Sequence, residues 1–319
     1  MPIARPRVAE ELSVVVPYRL DLTVNVLRRL STNVVDVLAP AGQYVRALNG
    51  PYGPVIARVT QVRPDALAVT VEGDRRDLAR VLSLMRRVLG VDRDLTHFSV
   101  VAEGISWLRP LALRMLGVKP PRYPTLWEAV VNAVAFQQLS LHAASAIVRR
   151  LVVTCSPSVE SDGMSLHAFP SVEHVLAAKD DLLRTIGFSA GKVTTLRRAG
   201  EALASGTLDE AMLEERPSPD AAALLRQIKG IGPWTATVIL LRGLGRLDVF
   251  PRNDSGVARS LAFVVGEMPL DVDRVLDALG PQQGMLYYHL LLARLEARGE
   301  LGPGMFAGVT VNSATDDRH

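Results

Sequence analysis

Little cysteine, little lysine and little excess of either charge set the first bounds on this chain. A single cysteine, Cys155, among 319 residues rules out a disulfide within the chain and a cysteine-ligated iron–sulfur cluster. Lysine occurs four times, as Lys119, Lys179, Lys192 and Lys229, among 36 basic residues. Positive charge is therefore carried by arginine, whose planar fork suits phosphate. Against 33 acidic residues the net charge is only +3, so the chain as a whole is no polycation. No run of about 18 apolar residues occurs, and no charged, apolar and small-residue leader. A soluble cytoplasmic protein with no membrane partner is expected. The six histidines are scattered, with none at ligand spacing to a cysteine or carboxylate pair, so neither a metal nor a cofactor is expected.

What is present divides in two. A chain of this length suggests two or three structural units. In the first hundred residues Val55, Ala57 and Val59, then Leu67, Val69 and Val71, alternate at the strand period, with the turn pairs Asn49-Gly50 and Pro64-Asp65 nearby. Leu22, Val26, Leu27 and Leu30 follow helical spacing, as do Leu78, Val81, Leu82, Met85 and Leu89. Residues 1–102 therefore read as an α+β domain with an antiparallel sheet, and carry no visible chemistry. From 103 to 302 the pattern is almost wholly helical. Thr125 through Glu128 has the form of a capping box, and Ser140 and Ser171 stand where N-caps are expected. Arg149 and Arg150 are expected near the C-terminal end of the helix that Ser140 starts. Segments 155–165 and 215–220 read as loops, and 303–319 as a disordered tail.

The most informative run is IKGIGPWTA at 228–236, followed by Asp254. Ser218 and Pro219 suit the N-cap and first position of the helix that precedes it. Gly230 and Gly232 permit positive φ and a close approach, and Pro233 suits the start of a second helix. Such a turn aims backbone amides outward at a helix N-terminus, which is an anion site that a DNA phosphate would fit. Asp254, in FPRNDSG, reads as the N-cap of the helix over 257–265.

With Asp254 in this register, the chain resembles the helix-hairpin-helix DNA glycosylases of the HhH-GPD superfamily, in particular the AlkA-type 3-methyladenine DNA glycosylases II. The segment GIGPWTATVILLRGLGRLDVFPRND carries the family's hairpin, helix and essential aspartate in order. AVAFQQLSLHAA at 133–144 and IGFSAGKVTTLRRAGEAL at 186–203 are similar to two further family segments, so the likeness covers nearly the whole chain. The resemblance implies a sheet domain shaped like half of a TATA-binding fold. It further implies two helical subdomains with a cleft between them.

The resemblance assigns Asp254 as the catalytic residue, holding a fixed carboxylate against the oxocarbenium character that grows on the sugar. It places Gly230, Ile231, Gly232, Trp234 and Thr235 at the DNA, and Gln138, with Leu139 beside it, as the wedge that fills the gap left by a flipped base. Bifunctional members carry a lysine where Trp234 stands, and Lys229 is out of register, so hydrolysis without strand cleavage is implied. The base pocket would hold Trp234, Phe136, Val238, Tyr287, Tyr288 and Leu291. Val238 and Leu291 stand where the best-known relatives have aromatics that favour cationic alkylated purines, and Phe136, Tyr287 and Tyr288 could compensate. Deaminated or oxidised bases therefore remain open as substrates. A lesion-binding module without chemistry is the reading of another class, and Asp254 argues against it. The carbonyls of Ile228 and Ile231 could hold a structural monovalent cation. The implied partner is double-stranded DNA containing damaged bases, met by a monomer associated with the nucleoid.

Overall fold

The computed structural model describes residues 6–301, and the expected tail at 303–319 lies outside them. The strands β1 (Arg7–Ser13), β2 (Val37–Leu38), β3 (Tyr44–Gly50), β4 (Gly53–Arg63) and β5 (Ala66–Glu72) form an antiparallel sheet. Its order is β1-β5-β4-β3-β2. The alternation seen in the sequence decides its faces. Val55, Ala57, Val59, Leu67, Val69 and Val71 point to one side. Helices α1 (Leu20–Arg28) and α2 (Leu78–Val88) cover that side with Leu20, Val24, Leu27, Val81, Met85 and Val88.

The other face holds a surprise in the segment expected to be a loop. Residues 158–167 form a hairpin, β6 (Ser158–Ser161) and β7 (Met164–His167), whose Val159 and Leu166 close over Val45, Ala47 and Ile56 of the sheet. Asp162 and Gly163 form its two-residue turn at φ 50° and 73°. Two consecutive positive φ values match the right-handed twist of the strands, and an Asp-Gly pair favours such a turn. Arg58 Nη2 donates to Ser161 Oγ at 2.7 Å, and Arg7 pairs with Asp162 at 2.7 Å, so the hairpin is held by charge as well as by apolar contact.

After the sheet come α3 (Thr96–Glu103), α4 (Arg109–Arg114), α5 (Leu126–Phe136), α6 (Leu141–Cys155), and then the hairpin. Beyond it run α7 (Val172–Ala177), α8 (Asp180–Ile186), α9 (Ala190–Ala204), α10 (Glu210–Glu214) and α11 (Ser218–Leu225). The last four are α12 (Pro233–Gly243), α13 (Ser255–Val265), α14 (Val272–Leu279) and α15 (Gly284–Glu296). They collect around two cores. One joins α5 to α12 through residues such as Val131, Leu196 and Ile239. The second gathers α3, α4, α13, α14 and α15, and takes Leu22, Val26 and Leu30 from α1 and the turn after it. The boundary expected at residue 102 falls inside α3, since Phe98 and Ala102 belong to this second core.

Charge also crosses between sheet and helices. Arg46 of β3, 1% exposed, meets Asp36 and Glu128 of α5 at 2.5 Å each. Burial pushes the Glu128 carboxyl up, against the pull of Arg46. Thr125 does cap α5 by accepting from Glu128 N, but the Glu128 side chain turns to Arg46 and the box closes on one side only. Ser140 and Ser171 cap α6 and α7 as expected. Two further expectations fail. Helix α11 begins at Ser218 itself, whose hydroxyl is buried without a partner rather than capping. Helix α6 runs on to Cys155, which leaves Arg149 and Arg150 mid-helix, with Arg150 Nε donating to Ile186 O.

Candidate active site

A cleft of about 770 Å³ opens between the two helical groups. That is within the range of small-molecule sites, and wide enough for an extruded base. Among the described residues, five cationic side chains line it, Arg29, Lys192, Arg259, Arg294 and Arg298, against a single carboxylate, Asp254. A chain near neutrality thus concentrates positive charge where it would meet a polyanion.

Asp254 is the N-cap of α13. Its Oδ1 accepts from Gly256 N at 2.6 Å and Val257 N at 3.0 Å. Trp234 Nε1 donates to Oδ2 at 2.8 Å, which ties α12 to α13 and holds both carboxylate oxygens in place while the residue remains half-buried at the cleft. Trp234 is therefore both part of the core and a wall of the cleft. A carboxylate held this way keeps its position as charge develops beside it, with no reorganisation to undergo.

The turn between α11 and α12 has one glycine that its conformation demands. Gly230 sits at φ 104°, and a Cβ there would collide with Thr195 Oγ1 of α9. Gly232, expected to need the same freedom, has an ordinary extended backbone (φ −87°, ψ −179°) and serves as the N-cap of α12. A side chain there would enter open space. Gly230 and Gly232 border the cleft, as does Thr235. Ile231 is buried instead, and its N–H is spent on Ile228 O at 3.0 Å, so that amide is not free for an anion.

The segment Gln137–Ser140 joins α5 to α6 at the rim. Gln137, which the sequence did not single out, donates through Nε2 to Gly230 O at 2.9 Å and to Thr235 Oγ1 at 2.8 Å, and so staples the hairpin to α5. Lys192 Nζ donates to Ala135 O and Gln137 O, capping the carbonyls that α5 leaves at its end. Burial lowers its ammonium below the usual lysine range. With Gln137 turned inward, Gln138 is turned outward. It is exposed at φ 57°, in the left-handed region that few side chains adopt, with Leu139 exposed beside it.

Among the expected pocket residues, Phe136, Trp234, Val238, Tyr287 and Leu291 line the cleft. Tyr288 does not. It is fully buried, and its hydroxyl donates to Leu241 O at 3.1 Å. Helical geometry separates the neighbours, because Tyr287, Leu291, Arg294 and Arg298 follow one face of α15 and the turn after it, while Tyr288 points into the core. Lys229 is exposed and lies outside the cleft lining. His289 is a core residue that bonds Met285 O through Nδ1 at 2.8 Å and stacks on Phe98. Arg29, overlooked in the sequence as the second member of an ordinary Arg-Arg pair at a helix end, lines the cleft beside Phe136.

Residues 131–267, which contain the hairpin, the Gln-rich turn and Asp254, match the model for the HhH-GPD superfamily base excision DNA repair proteins. Over those residues the chain is similar to that superfamily. The chain is similar to the probable bifunctional transcriptional activator/DNA repair enzyme AlkA of Mycobacterium tuberculosis H37Rv, 33% identical over 217 residues, which is 68% of this chain and 43% of that protein. It is also similar to the DNA-3-methyladenine glycosylase of Bacillus subtilis strain 168, 30% identical over 174 residues, which is 54% of this chain and 57% of that protein. The chain spans about half the length of these curated relatives. The solved 3-methyladenine DNA-glycosylase from Archaeoglobus fulgidus shares the fold, with a TM-score of 0.75 at 23% identity, over 90% of this chain and 99% of that one. Among the described residues, no helix is long and apolar enough to cross a membrane.

Proposed function

We propose that this chain is a monofunctional DNA glycosylase of base excision repair, which extrudes alkylated purines of the 3-methyladenine type from duplex DNA and hydrolyses their N-glycosidic bond. The observation that carries the reading is Asp254, a lone carboxylate in a cationic cleft with Oδ1 held by two amides and Oδ2 by the Trp234 indole. The carboxylate faces a sugar whose C1′ becomes oxocarbenium-like as the C–N bond breaks. The base leaves with the bonding electron pair, water adds to C1′ and gives up a proton to solvent, and an abasic site remains. Gln138 and Leu139, exposed at the rim, fill the gap in the stack. The amides at the start of α12 hold a phosphate, and Trp234, Phe136, Val238, Tyr287 and Leu291 enclose the base. The relatives named for DNA repair and 3-methyladenine release support this choice of substrate. The protein acts as a monomer in the cytoplasm, associated with the nucleoid.

No lysine stands where Trp234 does, and the cleft's one lysine, Lys192, has its Nζ committed to two carbonyls. Water rather than an enzyme amine therefore takes the sugar. Incubation with duplexes carrying single defined lesions should yield free base and a strand cut only by later alkali. Borohydride should trap no crosslink. A trapped adduct that disappears in Lys192→Ala or Lys229→Ala would end the monofunctional reading. Absence of free base from every lesion would end the enzymatic one.

A further inference from the structure

Arg29 is a buried cation that, among the described residues, has no carboxylate counterpart. It follows α1 at φ 61°, its residue is 6% exposed, and its guanidinium carbon lies 3.9 Å from the centre of the Phe136 ring. Its Nη1 has no hydrogen-bond partner, and among the described residues the guanidinium forms no ion pair. Other buried arginines also leave a donor unmet, Arg46 at Nε and Arg242 at Nε and Nη1, but each puts another nitrogen on oxygen, Arg46 on Asp36 and Glu128 and Arg242 on Val26 O. Burying that charge costs stability that stacking on the Phe136 ring returns only in part. Arg29 differs from the others in bordering the cleft. A guanidinium has five donors and no acceptor, so what completes it must present oxygen or nitrogen lone pairs.

Two parts of a DNA substrate could do so, a backbone phosphate or the extruded base. The observations favour the base. Arg29 is stacked on Phe136 and shielded from solvent, whereas phosphates run along the outside of the duplex and are met by exposed groups such as Arg259. Purines differ at C6 in the relevant sense. Guanine-type bases carry a carbonyl oxygen there, and adenine-type bases an amino group whose N–H would face the N–H of the guanidinium.

We propose that Arg29 is a specificity-determining residue that donates to the C6 carbonyl oxygen of the extruded base, so that the pocket prefers guanine-type over adenine-type alkylated purines. The inference rests on the glycosylase reading and narrows its substrate. A cationic alkylated guanine still offers O6 as an acceptor, with its positive charge centred on the ring nitrogens. The Phe136 ring fixes the plane of the guanidinium, so the direction of one N–H donor rather than charge alone makes the choice.

The matched probes are 3-methylguanine and 3-methyladenine, which carry the methyl group at the same position and are released from one batch of methylated duplex DNA. Wild-type protein should release 3-methylguanine faster. In Arg29→Met the ratio of the two release rates should fall about tenfold or more, the effect of one charge-assisted hydrogen bond. Arg29→Lys keeps the charge without the fork and should lower the ratio as well, which preserves the test if the Met variant does not fold. An unchanged ratio in a folded variant overturns the proposal, as does equal weakening of binding to all DNA, which would place a phosphate on Arg29. If wild-type protein releases neither base, the 3-methylpurine reading of the site fails and this inference with it.

Discussion

At the seam between sheet and helices, Arg46 is enclosed by two carboxylates. At the cleft, Arg29 is enclosed by a phenylalanine ring. Asp254 stands between these cases, since amides and an indole satisfy its oxygens and yet it faces the opening with no cationic partner among the described residues. A buried charge met within the fold fixes how elements dock. One left incomplete at a cavity is a cost that a ligand can offset. At these two positions the pairing of charge distinguishes a docking seam from a cleft wall.

The comparison breaks most visibly at the seam. Arg46→Ala strands Asp36 and Glu128 beside each other, and urea unfolding should show a loss of about 3–5 kcal/mol, whereas Arg29→Met should leave stability equal or higher. A comparable loss from both would erase the distinction. Next in size, Asp254→Asn should slow single-turnover base release by roughly 10²-fold or more while lesion-DNA binding survives. Wild-type rates in that variant would remove Asp254 from the chemistry.

A third kind of buried group is one kept neutral. Burial holds His289 down to about 4. Between that value and the usual 6.5, the unfolded chain binds a proton that the folded chain does not. Stability should therefore rise with pH from about 4 to 6.5 and gain nothing further from this group above it. His289→Leu should remove a slope of up to about 1.4 kcal/mol per pH unit, read from unfolding curves across that window. An unchanged slope would mean that His289 takes no part. The smallest effect is expected at the hairpin. Gly232→Asp has room for its side chain, and should weaken binding of damaged and undamaged duplexes alike, several-fold, by placing a carboxylate beside a phosphate. A defect confined to one lesion would move this turn into the base pocket.

Much of this was legible because it is local. The Asp254 cap, the Ser140 cap, the positive φ of Gly230 and the alternation in β4 and β5 depend on neighbours in sequence. The β6–β7 hairpin was missed because four-residue strands earn their place by packing on β3 and β4, a hundred residues earlier. Asp162-Gly163 was the local signal available. Tyr288 was misplaced for want of the helical period that sets Tyr287 on the other face. Arg29 had no signal at all. An arginine at a helix end reads as a solvated partner of the dipole, and its burial depends on Phe136, far along the chain.

Helix α1 serves two cores at once, and on a ribosome the two become available at different times. Leu20, Val24 and Leu27 find the sheet and α2 by the time Val88 has been made. The opposite stripe, Leu22, Val26 and Leu30, belongs to a core completed only by α15, which begins at Gly284, and Val26 O waits for Arg242 to donate to it. At about 5–20 residues per second that stripe stays uncovered for roughly 10–50 s of synthesis. Through that interval the nascent chain carries an apolar face suited to a holding chaperone, and the cleft cannot form until its last wall arrives.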